Sequence, residues 1–450
     1  MSLQRLLSLA YLLLPASRAA AQVDAPTWVS EESGILGNHV QLTSSERFRK
    51  AGECYFSPDG TKIVFQAVER EDDPEREERF YQMYVADLVL EGGDVIGIAN
   101  VLRLSPAGSS NTCGWFHPTE PGVVLFGSTV VPPSNPERAG YQRESSRYSW
   151  QFPQEMDIVR CELARADGTA ATLERVVSDP KAYLAEGVVR NDGRYLVYCE
   201  HRVAEGRSGG DLLCLEFATG ERTVVAKSPG YDGGPFFSPE GRRLCYRSDR
   251  RGDDLLQIFV SELAFDAQGD LIGVAREFQL TDNLHVNWAP YWHPSGRYLV
   301  YTTSEMGHDN YEVFVIDADG GLEGGPTKYG TRRRRVTHAG GFDGLPVFDR
   351  KGARLMWTSQ RSADGSSQVW IADFLLSLDR EDAEVEPTLE AADARPERLQ
   401  VRDPETGLYF LYDLSTHELS VYDIETHEVR PARDKAEIER AMALFRQQER

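Results

Sequence analysis

The sequence predicts an all-β molecule: a six-bladed β-propeller closed by an N-terminal strand, with a small C-terminal β-hairpin plus helix. Three observations carry this. A phrase of aromatic or apolar residues, a Pro- or Gly-bearing turn and an apolar run occurs six times. Two further strand-like runs follow each phrase until the last, which is followed by one. The missing run stands ahead of the first unit.

The N-terminus comes first. Arg5 precedes a short apolar run, Leu6–Leu14, and "ASRAAAQ" offers small residues for cleavage between Ala21 and Gln22. This is a secretory signal peptide, residues 1–21, and it places the mature chain in the periplasm or outside the cell. No later run reaches the ~18 apolar residues of a spanning helix, so no integral membrane segment is expected. The propeller then occupies 22–376. "VQLTS" (40–44) matches the outer-strand phrase and is expected to pair with 367–374, sealing the ring.

The six anchors are "YFSPDGTKIVF" from Tyr55, "WFHPTEPGVVLF" from Trp115, "VVRNDGRYLVY" from Val188, "FFSPEGRRLCY" from Phe236, "YWHPSGRYLVY" from Tyr291 and "VFDRKGARLMW" from Val347. Their turns centre on Gly60, Gly122, Gly193, Gly241, Gly296 and Gly352, where Pro and Gly supply the turn geometry. The flanking runs are rich in Val, Ile, Tyr and Phe, which suit strands. Third strands follow, such as "QIFVSEL" (257–263) and "YEVFVID" (311–317), and then fourth strands such as "FQLTD" (278–282). Four short strands per unit, repeated radially, define a propeller. After it come an acidic linker (377–400) and a C-terminal unit (401–450), with a hairpin over 408–430 and a helix over 434–448.

The S/H-P-D/S/E-G anchor, "VIDADG" and "RRVTH" resemble the TolB-type six-bladed propeller repeats of exported bacterial proteins, over about residues 40–374. The resemblance implies the fold and an envelope setting. TolB itself carries an N-terminal α/β domain ahead of its propeller, and none is expected here. The stretch 337–374 is also similar to propeller regions that precede zinc aminopeptidase domains, but only 76 residues follow it.

Composition narrows the function. The 450 residues carry a formal net charge of −22, which disfavours nucleic acid and anionic membrane surfaces as partners. Six scattered cysteines form no CxxC and no zinc spacing. Cys199 and Cys214 flank a hairpin loop and are candidates for a disulfide; the alternative is six small buried hydrophobes. No GxSxG, HExxH or phosphate loop occurs, and no cofactor is called for.

Loops between fourth and first strands, and between second and third, share one face around the channel. Tyr231, Asp232, His285, Asn287, Trp288, Phe342 and Asp343 fall in the first kind of loop, in blades four to six. His308, Asp309 and Asn310 fall in the second kind. A long insertion in blade two, 128–155, adds Tyr148 and Trp150. Aromatic and polar residues so placed suit a ligand. The arginine run 331–335 leads into an outer strand and reads as a charged edge.

These features predict an exported, non-catalytic propeller that binds a protein, peptide or glycan on its loop face, with an envelope complex as a candidate setting. The alternative is a metal-assisted, polysaccharide lyase-like enzyme. It would use His285, His308 and His338, as some lyases with this repeat type use a metal.

Overall fold

A computed structural model describes residues 26–448 apart from 71–79, 135–139, 143–148, 152, 154, 164–172, 205–206, 319–332, 377–397 and short C-terminal stretches (404–405, 407, 414–418, 423–428, 433–434). The expected signal peptide and most of the acidic linker lie outside the described residues.

Six four-stranded antiparallel sheets form the ring. From the inside out, blade one is Phe48–Phe56, Lys62–Glu69, Gln82–Glu91 and Asp94–Arg103. Blade two is Asn111–Phe116, Val123–Ser128, Asp157–Glu162 and Leu173–Val177. Blade three is Tyr183–Val189, Tyr195–Ala204, Arg207–Glu216 and Arg222–Ala226. Blade four is Asp232–Phe237, Arg243–Ser248, Gln257–Phe265 and Leu271–Gln279. Blade five is Asn287–Trp292, Tyr298–Thr303, Glu312–Asp317 and Arg333–Arg335. Blade six is Asp343–Phe348, Arg354–Ser359, Gln368–Phe374 and, outermost, Leu36–Gln41.

Each blade packs on the next, and blade six packs on blade one. Closure is antiparallel, with Val40 opposite Ile371 and Gln41 opposite Trp370, and the Leu42 N–H continues the ladder to the Val369 carbonyl. The closing strand thus starts four residues earlier than the sequence suggests. The six turn glycines all take φ between +69° and +79°, the left-handed region that glycine enters without a Cβ clash. The core lies between the sheets, as Phe65, Tyr84, Tyr246, Tyr301 and Trp357 show. Arg333–Arg335 does form an outer strand, with Arg335 paired to Glu312 at 2.6 Å.

Within the blade-two insertion, Gly140–Gln142 pairs with Ser149–Gln151. The C-terminal unit exceeds the expected hairpin. Arg398–Arg402, Tyr409–Asp413, Leu419–Tyr422 and Val429–Pro431 form a four-stranded sheet, and the helix Lys435–Gln448 contributes Ala441 to a core with Phe410 and Val421. The two flanking strands are short and polar, which hid them from a reading based on apolar runs. All six cysteines are free thiols. Cys199 faces Leu212 and Cys214 faces Val197 across the ladder, so the two are not opposed.

Candidate functional site in the central channel

Every innermost strand breaks its ladder at the same place. The register shifts fall at Gly52/Cys54, Thr112/Trp115, Ala185/Val188, Gly233/Phe236, Trp288/Tyr291 and Gly344/Val347. At each shift one residue adopts positive φ: Glu53 (41°), Cys113 (54°), Glu186 (60°), Gly234 (60°), Ala289 (51°) and Leu345 (56°). Such bulges re-aim side chains. Here the bulged residues line a cavity of about 40 Å³ on the axis. Left-handed geometry costs a non-glycine residue ~1–2 kcal/mol, a strain that glycine avoids in blade four.

Two residues further along, Tyr55, Trp115, Phe236 and Tyr291 meet across the axis with ring centroids 5.1–6.4 Å apart. These rings floor the cavity on the side away from the loop face. Above them stands a buried polar group. Tyr231 donates its hydroxyl to Glu186 Oε1 at 2.6 Å, and the Gly234 N–H donates to Glu186 Oε2 at 2.5 Å. Arg247 Nη2 donates to Glu186 Oε1 at 3.0 Å and to the Tyr231 hydroxyl at 2.9 Å. Its guanidinium lies 5.5 Å from the Tyr231 ring centre and 5.9 Å from that of Trp288. Gly233 is required here, because a Cβ would meet the Tyr231 hydroxyl at 2.0 Å.

Glu53 completes the group. It accepts from the Tyr55 hydroxyl and from Thr112 Oγ1, both at 3.3 Å. Among the described residues no Lys or Arg lies within ion-pair distance of it. Burial pushes its carboxyl above the usual range, and the nearby Glu186 charge adds to the rise. Burial likewise pushes the Cys113 thiol up, with Glu53 adding to it.

The residues expected from sequence lie around this group, and several sit deeper than a loop reading implies. Tyr231, Trp288 and Phe342 are 5%, 6% and 4% exposed, so their rings are packed rather than displayed; Trp288 also lines the cavity. Asp232, Asn287 and Asp343 are the buried first residues of their strands. Asp232 accepts from Arg250 Nη2 at 3.2 Å, and Asp343 accepts from Trp357 Nε1 at 2.8 Å and Arg361 Nη2 at 3.2 Å. Asn287 Nδ2 ties to Asn283 Oδ1 at 2.7 Å and to Gln257 Oε1, across the blade boundary, at 3.1 Å.

His285 is half-buried, and burial holds its pKa below the ordinary value. His308 shares a hydrogen bond with the Tyr311 hydroxyl at 3.0 Å, Asp309 is exposed, and Asn310 accepts from the Gly341 N–H at 2.9 Å. The His338 N–H donates to Glu32. Among the described residues no three His, Cys, Asp or Glu side chains converge as a metal site requires. Tyr148 lies outside the described residues, and Trp150 sits opposite Tyr141 in the inserted hairpin.

Sequence reading missed Glu53, Glu186, Arg247 and Glu32. For the first three the signal was present, since a charged residue inside an otherwise apolar blade strand must either be paired or face the axis; Glu32 stands ahead of the closing strand and carried no such signal.

The molecule is a six-bladed β-propeller with TolB-like repeats, sealed by its own N-terminal strand. No protein-family model matches the chain. Over 108 residues it is 31% identical to the Tol-Pal system protein TolB of Francisella tularensis subsp. holarctica, a match covering 21% of this chain and 23% of that protein. The chain therefore spans about a quarter of the length of such curated relatives. Among solved structures it is similar to a putative TolB from Agrobacterium tumefaciens (16% identity, 72% of this chain and 90% of that one, TM-score 0.42). It is similar also to an oligogalacturonate lyase from Vibrio parahaemolyticus (13% identity, 74% and 92%, TM-score 0.42). No described helix is long and apolar enough to cross a membrane.

Proposed function

We propose that this chain is an exported, non-catalytic binding protein of the cell envelope that takes a protein or peptide at the loop-face mouth of its channel. The carrying observation is the well itself: polar, strained backbone above an aromatic floor, on a rigid ring. Strained residues held by their surroundings cluster at binding sites. The partial likeness to a protein named for the Tol-Pal system supports the envelope setting.

Site-specific photo-crosslinking tests this. A benzoylphenylalanine at exposed Asp309 samples the loop face, and one at exposed Asp59 samples the turn face. In cells that produce the protein, a discrete adduct is expected from position 309 and none from 59, in a chain whose N-terminus begins at Gln22. Adducts from 59 alone would overturn the reading.

A further inference from the structure

We infer that the well at Glu53 and Glu186 binds a protonated primary amine, the end of a lysine side chain or the amino terminus of a peptide. The inference rests on the binding-protein reading and names what the mouth recognises.

The charges come first. Two buried carboxylates face one guanidinium. Arg247 hydrogen-bonds Glu186 and Tyr231 and reaches Glu53 only through its charge at longer range, so the groups that donate to Glu53 are neutral: the Tyr55 and Thr112 hydroxyls at 3.3 Å and the Cys113 thiol. A buried carboxylate with no cation in contact is costly, and an incoming cation lowers that cost. The raised carboxyl of Glu53 has the same origin: burial first, then the charge of Glu186.

The shape selects the cation. The cavity of about 40 Å³ has room for a few water-sized groups, since one water needs roughly 10–15 Å³. An ammonium on a narrow stem fits this space. An ammonium offers three donors, and Glu53 and Glu186 supply the acceptors around the axis. The floor is also suited to it. Tyr55, Trp115 and Tyr291 line the same cavity. Cations sit favourably over such rings.

The backbone gives an independent argument. Blade four places Gly234 at the bulge, where positive φ is free of strain. Blades one and three place Glu53 and Glu186 there instead, at φ 41° and 60°. The bulge is the position that turns a side chain onto the axis, and in blades one and three the side chain it turns there is a carboxylate.

The test uses the mature chain and n-butylammonium chloride, with sodium chloride at equal ionic strength as reference. The amine should raise the melting temperature and the salt should not. Glu53→Gln keeps the side-chain shape and removes a desolvated charge. It should melt at or above the parent temperature while its apparent Kd for butylammonium weakens at least ~10-fold, the scale of one lost charge-assisted hydrogen bond. Asp59→Asn, on the opposite face of the ring, should respond like the parent. Two capped tripeptides identify the source: acetyl-Gly-Lys-Gly-amide carries only the lysine amine, and Gly-Gly-Gly-amide only the terminal one. At least one should compete with butylammonium. An equal response to sodium chloride, an undiminished response in Glu53→Gln, or failure of both tripeptides would each overturn the amine. If crosslinking from position 309 survives in Glu53→Gln while the amine response never appears, the binding-protein reading stands and this inference alone fails.

Discussion

In blade four, Arg250 donates to Asp232 at 3.2 Å and to Ser248 Oγ at 2.9 Å, and it pairs with Glu277 on the outer strand of the same blade. In blade six, Arg361 donates to Asp343 at 3.2 Å and to Ser359 Oγ at 2.9 Å, and it pairs with Glu32, which stands just ahead of the closing strand. The chain wording matches too: Asp-Gly at 232 and 343, Ser-x-Arg at 248 and 359. The surroundings differ. Arg250 and Glu277 side chains are 24% and 35% exposed, whereas Arg361 and Glu32 are both 0% exposed. Trp28 closes over Arg361 with its ring centre 4.4 Å from the guanidinium. One tie is thus half-solvated and local. The other is dry and spans 329 residues.

That difference makes the N-terminal segment a clasp. Glu32 receives both guanidinium nitrogens, at 2.9 and 3.0 Å, as well as His39 at 2.8 Å and the His338 N–H at 2.8 Å. Burial pushes its carboxyl up, but the hydrogen bonds from His39 and Arg361 outweigh burial and hold it below the usual range. The largest expected effect follows from removing the whole device. Deleting residues 22–45 takes away the closing strand and strands Arg361, and it leaves Gln368–Phe374 as an open edge. The melting temperature should fall by several degrees and the protein should aggregate on heating. An unchanged melt would remove the clasp from the account.

Next in size is the paired comparison of Arg361→Met with Arg250→Met. Breaking a buried pair leaves uncompensated charge and costs ~3–5 kcal/mol, so Arg361→Met should shift the urea midpoint strongly. Arg250→Met should cost only ~1–2 kcal/mol, because solvent reaches Glu277 and the carboxyl of Asp232, already pushed up by burial, takes a proton more readily. Equal shifts in the two variants would mean that burial does not set the worth of this tie.

The ring was legible because its signals are local. A turn glycine, in three of the six anchors a Pro two residues before it, and an apolar run on each side sit within a dozen residues, and all six turns form as read. Closure was legible from the spare outer-strand phrase. The candidate site was less so. Asp232, Asn287, Trp288 and Asp343 read as loop residues, but the inner strands begin at Asp232, Asn287 and Asp343, and a shift of one or two residues moves a side chain from solvent into the interior of the ring. The bulges carry no sequence signature: Glu, Cys, Gly, Ala and Leu all occupy the position. The Glu32–Arg361 contact joins the two ends of the propeller, and no spacing rule reaches that far.

The smallest expected effect isolates one atom of the comparison. In blade six the Phe342 N–H donates to Gln360 Oε1 at 3.1 Å. In blade four the equivalent Tyr231 N–H donates to Asp249 Oδ1. The neutral amide costs nothing to bury in charge terms, but the carboxyl does. Burial raises Asp249 to about 6, the Tyr231 hydrogen bond opposes the rise, and Asp254, Asp232 and Asp253 add to it. A carboxyl with a folded pKa above its unfolded value binds its proton more tightly when folded. Stability is therefore greatest below the unfolded value of ~4 and falls as pH rises from there to about 6. Above that window the folded state carries the full penalty. Asp249→Asn keeps the acceptor and removes the titration. It should stabilise the protein at pH 7.5 by about 1 kcal/mol, a value reduced from the shift itself for the residue's partial exposure, and leave it unchanged near pH 4. Thermal melts of parent and variant at both pH values decide the matter. A gain of equal size at pH 4 and pH 7.5 would show that the amide improves packing, and the charge of Asp249 would then play no part in the difference between the two blades.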